Sequence, residues 1–117
     1  MLIIEPAQMQ VFGRLMRSRF VDGEIARVRR ERPGQVAKVS DETIRQFVEH
    51  AIARAAEYQL VAVSDVERYI DLNFRLGPAF EDKPEHQPVC VLLEDFEVYG
   101  QLRLDRVDKL LAERGIA

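Results

Sequence analysis

Three side chains have the types found in transition-metal sites, namely His50, His86 and Cys90. His86 and Cys90 are four residues apart, a spacing that can bring two ligands together. A zinc site needs three or four protein ligands oriented by further hydrogen bonds, and the sequence holds no other His or Cys. We therefore expect no metal site: His86 is interpreted as a surface residue, and Cys90, which stands between two valines, as a buried thiol.

Acidic and hydroxyl side chains offer two further kinds of chemistry. Glu81, Asp82 and Glu85 are close in sequence, but they lack the alternating oxygen ligands and the central glycine of a calcium-binding EF-hand loop. Ser40 and Ser64 stand where serines cap helices, which explains them without nucleophilic catalysis. No glycine-rich phosphate loop is present. We expect no catalytic residues, no cofactor and no enzyme activity.

The composition predicts one globular domain over residues 1–117. Apolar residues make up 47% of the chain and charged residues 32%, and the length is too short for two domains. No run approaches the roughly 20 apolar residues that span a bilayer, and the first residues lack the features of a signal peptide. With a single cysteine, these features predict a cytoplasmic protein that does not associate with membranes.

Apolar periodicity predicts an all-α fold, a compact bundle of four to five helices with a long first helix. The first helix is expected from about Pro6 to Arg32. Ser40 predicts the N-cap of the second helix. Ser64 and Glu67 together fit a capping box at the start of the third.

The remaining third of the chain is harder to assign. Residues 79–88 are predicted to form a polar loop anchored by Phe80. The apolar run that begins at Val89 fits either a strand or a buried turn of helix. We favour a short helix over residues 89–95, because no partner strand is visible elsewhere, and we expect a last helix that ends at Arg114-Gly115.

Charge is distributed unevenly along the chain. Residues 1–32 hold seven arginines and four acids, a balance of +3, whereas the other 85 residues hold ten bases and sixteen acids, a balance of −6. An Arg-rich first helix on an acidic body leaves open a small nucleic-acid-binding or regulatory protein. A recognition helix over residues 64–76 would present net negative charge to phosphates, which counts against that alternative.

Protein binding is the function that the residues favour. We expect an exposed apolar patch rimmed by charge, and self-association of the first helix into a homodimer remains open. Aromatic residues in this set fit either the core or an interface. The candidate partner-binding residues are Phe12, Met16, Arg17, Arg19 and Phe20 on the first helix, and Phe80, Glu81 and Asp82 after the third.

Three stretches of the chain carry a resemblance to a known family. They read Ala53-Arg54-Ala55-Ala56-Glu57-Tyr58-Gln59-Leu60, Ser64-Asp65-Val66-Glu67-Arg68-Tyr69-Ile70 and Leu76-Gly77-Pro78-Ala79-Phe80-Glu81-Asp82, with Asp108-Lys109-Leu110-Leu111 as a closing echo. Together they resemble a family of small all-helical accessory proteins encoded beside type VI secretion spike and effector components. About two-thirds of the chain takes part in the match.

The resemblance implies an adaptor or co-chaperone that helps to load an effector or a spike-tip protein. No catalytic residues come with it. The chain departs from the family pattern at two places. Gln59-Leu60 stands where the family has Gly-Ile, and Pro84–Leu93 lacks the usual aromatic residue.

Overall fold

Residues 13–116 are described by a computed structural model, with side chains from Leu15 onward, and they form six α-helices. The helices are α1 (Gly13–Glu31), α2 (Pro33–Val36), α3 (Asp41–Glu57), α4 (Val63–Leu76), α5 (Gln87–Leu93) and α6 (Gly100–Glu113), with two 3₁₀ turns at Phe80–Asp82 and Pro84–His86. The all-α prediction is confirmed, and the one-turn helix α2 accounts for the extra element. Residues 6–12 of the predicted first helix lie outside the described part of the chain.

Helix α3 begins and ends through local hydrogen bonds. The Ser40 hydroxyl accepts a hydrogen bond from the Thr43 backbone N–H at 3.2 Å, which confirms the predicted N-cap. At the other end Leu60 N–H donates to the Ala55 carbonyl at 2.9 Å, and Gln59 adopts a left-handed conformation with φ of 57°. This is the Schellman ending that usually contains glycine, so the turn forms although the chain lacks the family's glycine there.

Helix α4 starts two residues earlier than its capping signal predicts. It begins at Val63 with Ala62 as N-cap, and no side chain caps it. The predicted capping box of Ser64 and Glu67 is therefore wrong. The Glu67 carboxylate lies instead 3.3 Å from the Arg27 guanidinium on α1, a long-range contact that local spacing does not reveal.

The segment after α4 is more ordered than a polar loop. The expected short helix at Val89 is confirmed, although α5 already begins at Gln87. Phe80 is fully buried and anchors the segment of two 3₁₀ turns that lies between α4 and α5, as predicted. The last helix ends with Arg114 as C-cap and Gly115 in a left-handed conformation with φ of 72°.

Helices α1, α3, α4, α5 and α6 all contribute to one continuous apolar core. Asp22 pairs with Arg45 and Arg29 with Asp41, both at 2.5 Å, so α1 and α3 run antiparallel. Burial of each large apolar side chain contributes about 1.5–3 kcal/mol relative to exposure. The largest fully buried side chains are Tyr69, Phe80, Leu60, Ile70, Leu93, Leu111, Val21, Val28, Val48, Val66, Val89 and Val107.

A buried arginine joins the α5–α6 hairpin to the end of α3. Arg103 is 3% exposed, and its guanidinium donates to the backbone carbonyls of Tyr58 at 2.7 Å, Leu93 at 2.5 Å and Val98 at 3.0 Å. Tyr58 and Leu93 close α3 and α5, where carbonyls lack helical partners and a cation is favourable. Arg103 therefore fixes the 94–99 loop beside the C-terminal end of α3.

Candidate functional site

Two of the predicted residues of the first helix lie at the surface, and two are half-buried. Met16 is 47% exposed, Arg19 is also exposed, and Arg17 and Phe20 are half-buried. Phe12 lies outside the described residues. Leu15, which the predicted set does not include, is 61% exposed. We call Leu15, Met16, Arg17, Arg19 and Phe20 the α1 surface.

The second predicted group belongs largely to the interior. Phe80 packs with its ring centroid 6.2 Å from that of Tyr69. The Glu81 side chain is only 9% exposed; it accepts a hydrogen bond from the Tyr69 hydroxyl and lies 3.6 Å from Arg54. Both side chains therefore lie in the interior and stabilise the fold, and contact of Phe80 and Glu81 with a partner stays a prediction. Asp82 is exposed.

Arg17 and Arg19 near the start of α1 differ in their surroundings from Arg27 and Arg29 nearer its end. Arg27 and Arg29 form ion pairs with acids on other elements. Neither Arg17 nor Arg19 forms an ion pair or a side-chain hydrogen bond with any residue between 13 and 116 for which contacts are described. The first half of the helix therefore presents cationic groups whose charge is not compensated within that part of the fold.

The second half of α1 carries a partly buried charge cluster. Arg27, whose side chain is 14% exposed, lies 2.7 Å from Glu24, 3.0 Å from Glu31, 3.0 Å from Asp71 and 3.3 Å from Glu67. One guanidinium thus forms ion pairs with four carboxylates. A hydrogen bond between the Glu24 and Glu67 carboxyl groups, reinforced by burial, raises the pKa of Glu67 to about 7. The cluster attaches α1 to α4 and is sensitive to pH.

A second exposed apolar region lies on the α5–α6 hairpin, and sequence reasoning missed it. Tyr99 is 88% exposed, Val91 66%, Phe96 47% and Leu102 46%. The centroid of the Phe96 ring lies 5.4 Å from the Arg103 guanidinium, and this cation–π contact helps to orient the ring. The available signal was two aromatic residues in an otherwise polar segment. We call Val91, Phe96, Tyr99 and Leu102 the hairpin surface.

Two further chemical candidates, Cys90 and His86, are at least partly buried. Cys90 is 6% exposed, and burial raises the pKa of its thiol, which disfavours the reactive thiolate. The His86 ring lies edge-on to Phe80 at 6.3 Å, partly buried rather than on the open surface as predicted. In residues 13–116 no three His, Cys, Asp or Glu side chains are grouped so as to hold a metal ion.

Helix α4, the candidate recognition helix for nucleic acid, has its cations occupied. Arg68 lies 2.9 Å from Asp105 and 2.8 Å from Asp108, and Arg75 lies 3.0 Å from Asp108. These contacts tie α4 to α6. They leave α4 little free positive charge for phosphate groups.

No family model matches the chain, and no curated protein or solved structure shows significant similarity to it. The likeness to proteins encoded beside type VI secretion components therefore depends on the sequence stretches quoted above. None of the helices in the described part of the chain is both long enough and apolar enough to cross a membrane.

Proposed function

We propose that the protein is a non-catalytic adaptor that binds another protein through the α1 surface. The observation that carries this proposal is the contrast within one helix. Leu15 and Met16 are 61% and 47% exposed, and Arg17 and Arg19 beside them have no acidic partner in the described structure. Apolar side chains flanked by cations are typical of the centre and rim of a protein interface.

The chemistry of this surface defines the partner. An arginine guanidinium binds carboxylates through two parallel hydrogen bonds, so the partner presents acids around an apolar strip. Desolvation of the exposed apolar groups supplies affinity, and the charges supply orientation and a faster association. By the resemblance described above, the partner is a type VI secretion effector or a spike-tip protein, and the adaptor assists its loading.

The test uses purified spike-tip and effector proteins encoded by genes next to this one. Titration calorimetry compares the wild-type protein with a Leu15→Glu/Met16→Glu variant, which places charge in the apolar centre of the α1 surface. We expect at least a tenfold loss of affinity. An Ala112→Glu variant is the matched control, because Ala112 is exposed on α6, and it retains wild-type affinity.

Two results would contradict the proposal. Equal affinity of the three proteins would show that the α1 surface is not the docking site, and absence of binding to any of these partners would remove the secretion context. Binding of DNA or RNA that weakens steeply with salt and requires Arg17 and Arg19 would support the nucleic-acid alternative instead.

A further inference from the structure

The two exposed apolar surfaces lie at the same end of the molecule. Because α1 and α3 are antiparallel, as the Asp22–Arg45 and Arg29–Asp41 pairs require, the first half of α1 lies toward the C-terminal end of α3. The contact from Arg103 to the Tyr58 carbonyl places the hairpin at that end as well. The α1 surface and the hairpin surface therefore share one end of the bundle.

The charges within and beside them are opposite. The α1 surface contains Arg17 and Arg19, whereas the 94–99 loop that carries Phe96 and Tyr99 contains Glu94, Asp95 and Glu97 and no base. The Asp95 carboxylate forms an ion pair with the Arg106 guanidinium at 3.6 Å. Glu94 and Glu97 are exposed, and neither has an ion-pair partner among the side chains described between residues 15 and 116.

We propose that the chain binds a second copy of itself, with the α1 surface of one protomer against the hairpin surface of the other. A two-fold axis through the shared end makes this contact twice, since each protomer supplies both surfaces. Arg17 and Arg19 of each protomer then face Glu94 and Glu97 of the other. The proposal concerns self-association and does not depend on the adaptor role.

The residues have the character that such an interface needs. Tyr99 and Phe96 are aromatic side chains of the kind that dominate binding energies, and Phe96 is already oriented by Arg103. Leu15 and Met16 provide flexible apolar partners for these rings. Opposite charges at the edges favour this pairing over one that places two basic or two acidic surfaces together.

Sedimentation velocity of the purified protein tests the proposal. We expect a monomer–dimer equilibrium whose dissociation constant rises with salt, because the flanking charges become screened. An Arg17→Glu/Arg19→Glu variant and a Glu94→Lys/Glu97→Lys variant each bring like charges together. Each is expected to raise the dissociation constant at least tenfold.

Mixing the two variants is the decisive step. In a heterodimer the acidic α1 surface of the first variant meets the basic hairpin surface of the second, and the remaining pair is the wild-type one. Dimerisation of the mixture at close to wild-type strength is therefore expected. Lys38→Glu and Lys109→Glu, which change charge at exposed sites outside both surfaces, leave the wild-type equilibrium unchanged.

A wild-type protein that stays monomeric up to concentrations on the order of 1 mM would overturn the proposal. So would dimers that neither charge reversal weakens, or a mixture that fails to dimerise. The Glu94→Lys/Glu97→Lys variant separates this proposal from the adaptor role, because it loses the dimer but keeps an intact α1 surface for an effector or spike-tip partner. For this variant, loss of the dimer with retained partner binding supports both proposals. A retained dimer contradicts self-association through these surfaces, whereas loss of partner binding contradicts the assignment of the partner's docking site to the α1 surface.

Discussion

The two halves of helix α1 are built from similar residues but contribute differently to the protein. In the second half, Val28 is essentially fully buried and Arg27 is surrounded by carboxylates. In the first half, Leu15 and Met16 face solvent, and packing against the core begins at Phe20 and Val21. The difference arises from what lies opposite each residue, because the rest of the fold supplies apolar partners from Phe20 onward and acids to Arg27, but neither to Leu15 and Met16. A residue type on a helix thus gains its role from tertiary contacts.

The largest expected effect contrasts two arginines eight residues apart. Arg27→Ala leaves Glu24, which is 3% exposed, without its closest cation. Removing one partner of a buried pair costs about 3 kcal/mol or more, and we expect urea denaturation to show a loss near the lower end, because Arg27 is 14% exposed. Arg19→Ala changes the free energy of unfolding by less than about 0.5 kcal/mol. Equal losses in both variants would erase the distinction between the halves.

A smaller effect of opposite sign is expected at the end of α3, toward which the exposed half of α1 lies. Gln59 has φ of 57°, a conformation that costs a non-glycine residue about 1–2 kcal/mol. Gln59→Gly is therefore expected to stabilise the protein by about 1 kcal/mol in thermal or urea unfolding, part of the gain being offset by the greater flexibility of glycine in the unfolded chain.

Gln46→Gly supplies the control for that change. Gln46 is exposed in the interior of α3, where glycine costs about 1 kcal/mol. The same substitution should thus stabilise at one position and destabilise at the other. A destabilising Gln59→Gly would mean that the left-handed turn is not present in solution.

The pH dependence of stability probes the charge cluster between the second half of α1 and α4. The pKa of Glu67 is raised to about 7 from the 4.5 of an unperturbed glutamate, so the folded state holds a proton that the unfolded state releases. This contribution to stability is fully present below pH 4.5 and is lost as pH rises through 7. We expect Glu67→Gln, which stays neutral, to lose less stability than wild type between pH 5 and 8 in urea unfolding.

The size of that pH effect is limited by solvent, because the Glu67 side chain is 34% exposed. The comparison with Glu67→Gln removes the contribution of every other titrating group. Parallel stability curves for the two proteins across this range would contradict a shared proton between Glu24 and Glu67. Such a result would mean that the ion pairs of Arg27, without a shared proton, account for the contribution of the cluster to stability.

Local signals in the sequence predicted most helices and their ends. Ser40 caps α3 and Gly115 ends α6 because both effects depend on backbone groups a few residues away. The capping box predicted at Ser64 does not form, and the Glu67 carboxylate pairs instead with Arg27, forty residues earlier in the chain. Contacts of this length follow from helix packing, which periodicity alone does not specify.

The candidate site was predictable only in part for the same reason. Met16 and Arg19 lie at the surface, but Phe80 and Glu81 are held inside by Tyr69 and Arg54. An aromatic residue followed by acids has the same sequence pattern at a surface and at the edge of a core. The hairpin surface was missed because its exposure depends on how Arg103 fixes the 94–99 loop.

The central proposal is that Leu15 and Met16, in the first turn of α1, serve binding and contribute little to folding. Urea denaturation of the Leu15→Glu/Met16→Glu variant tests it most directly, at a protein concentration low enough to keep both proteins monomeric. We expect a free energy of unfolding within about 0.5 kcal/mol of wild type, as for substitutions at exposed sites. A loss of about 2 kcal/mol or more, the range for disrupted core packing, would show instead that these side chains are part of the core.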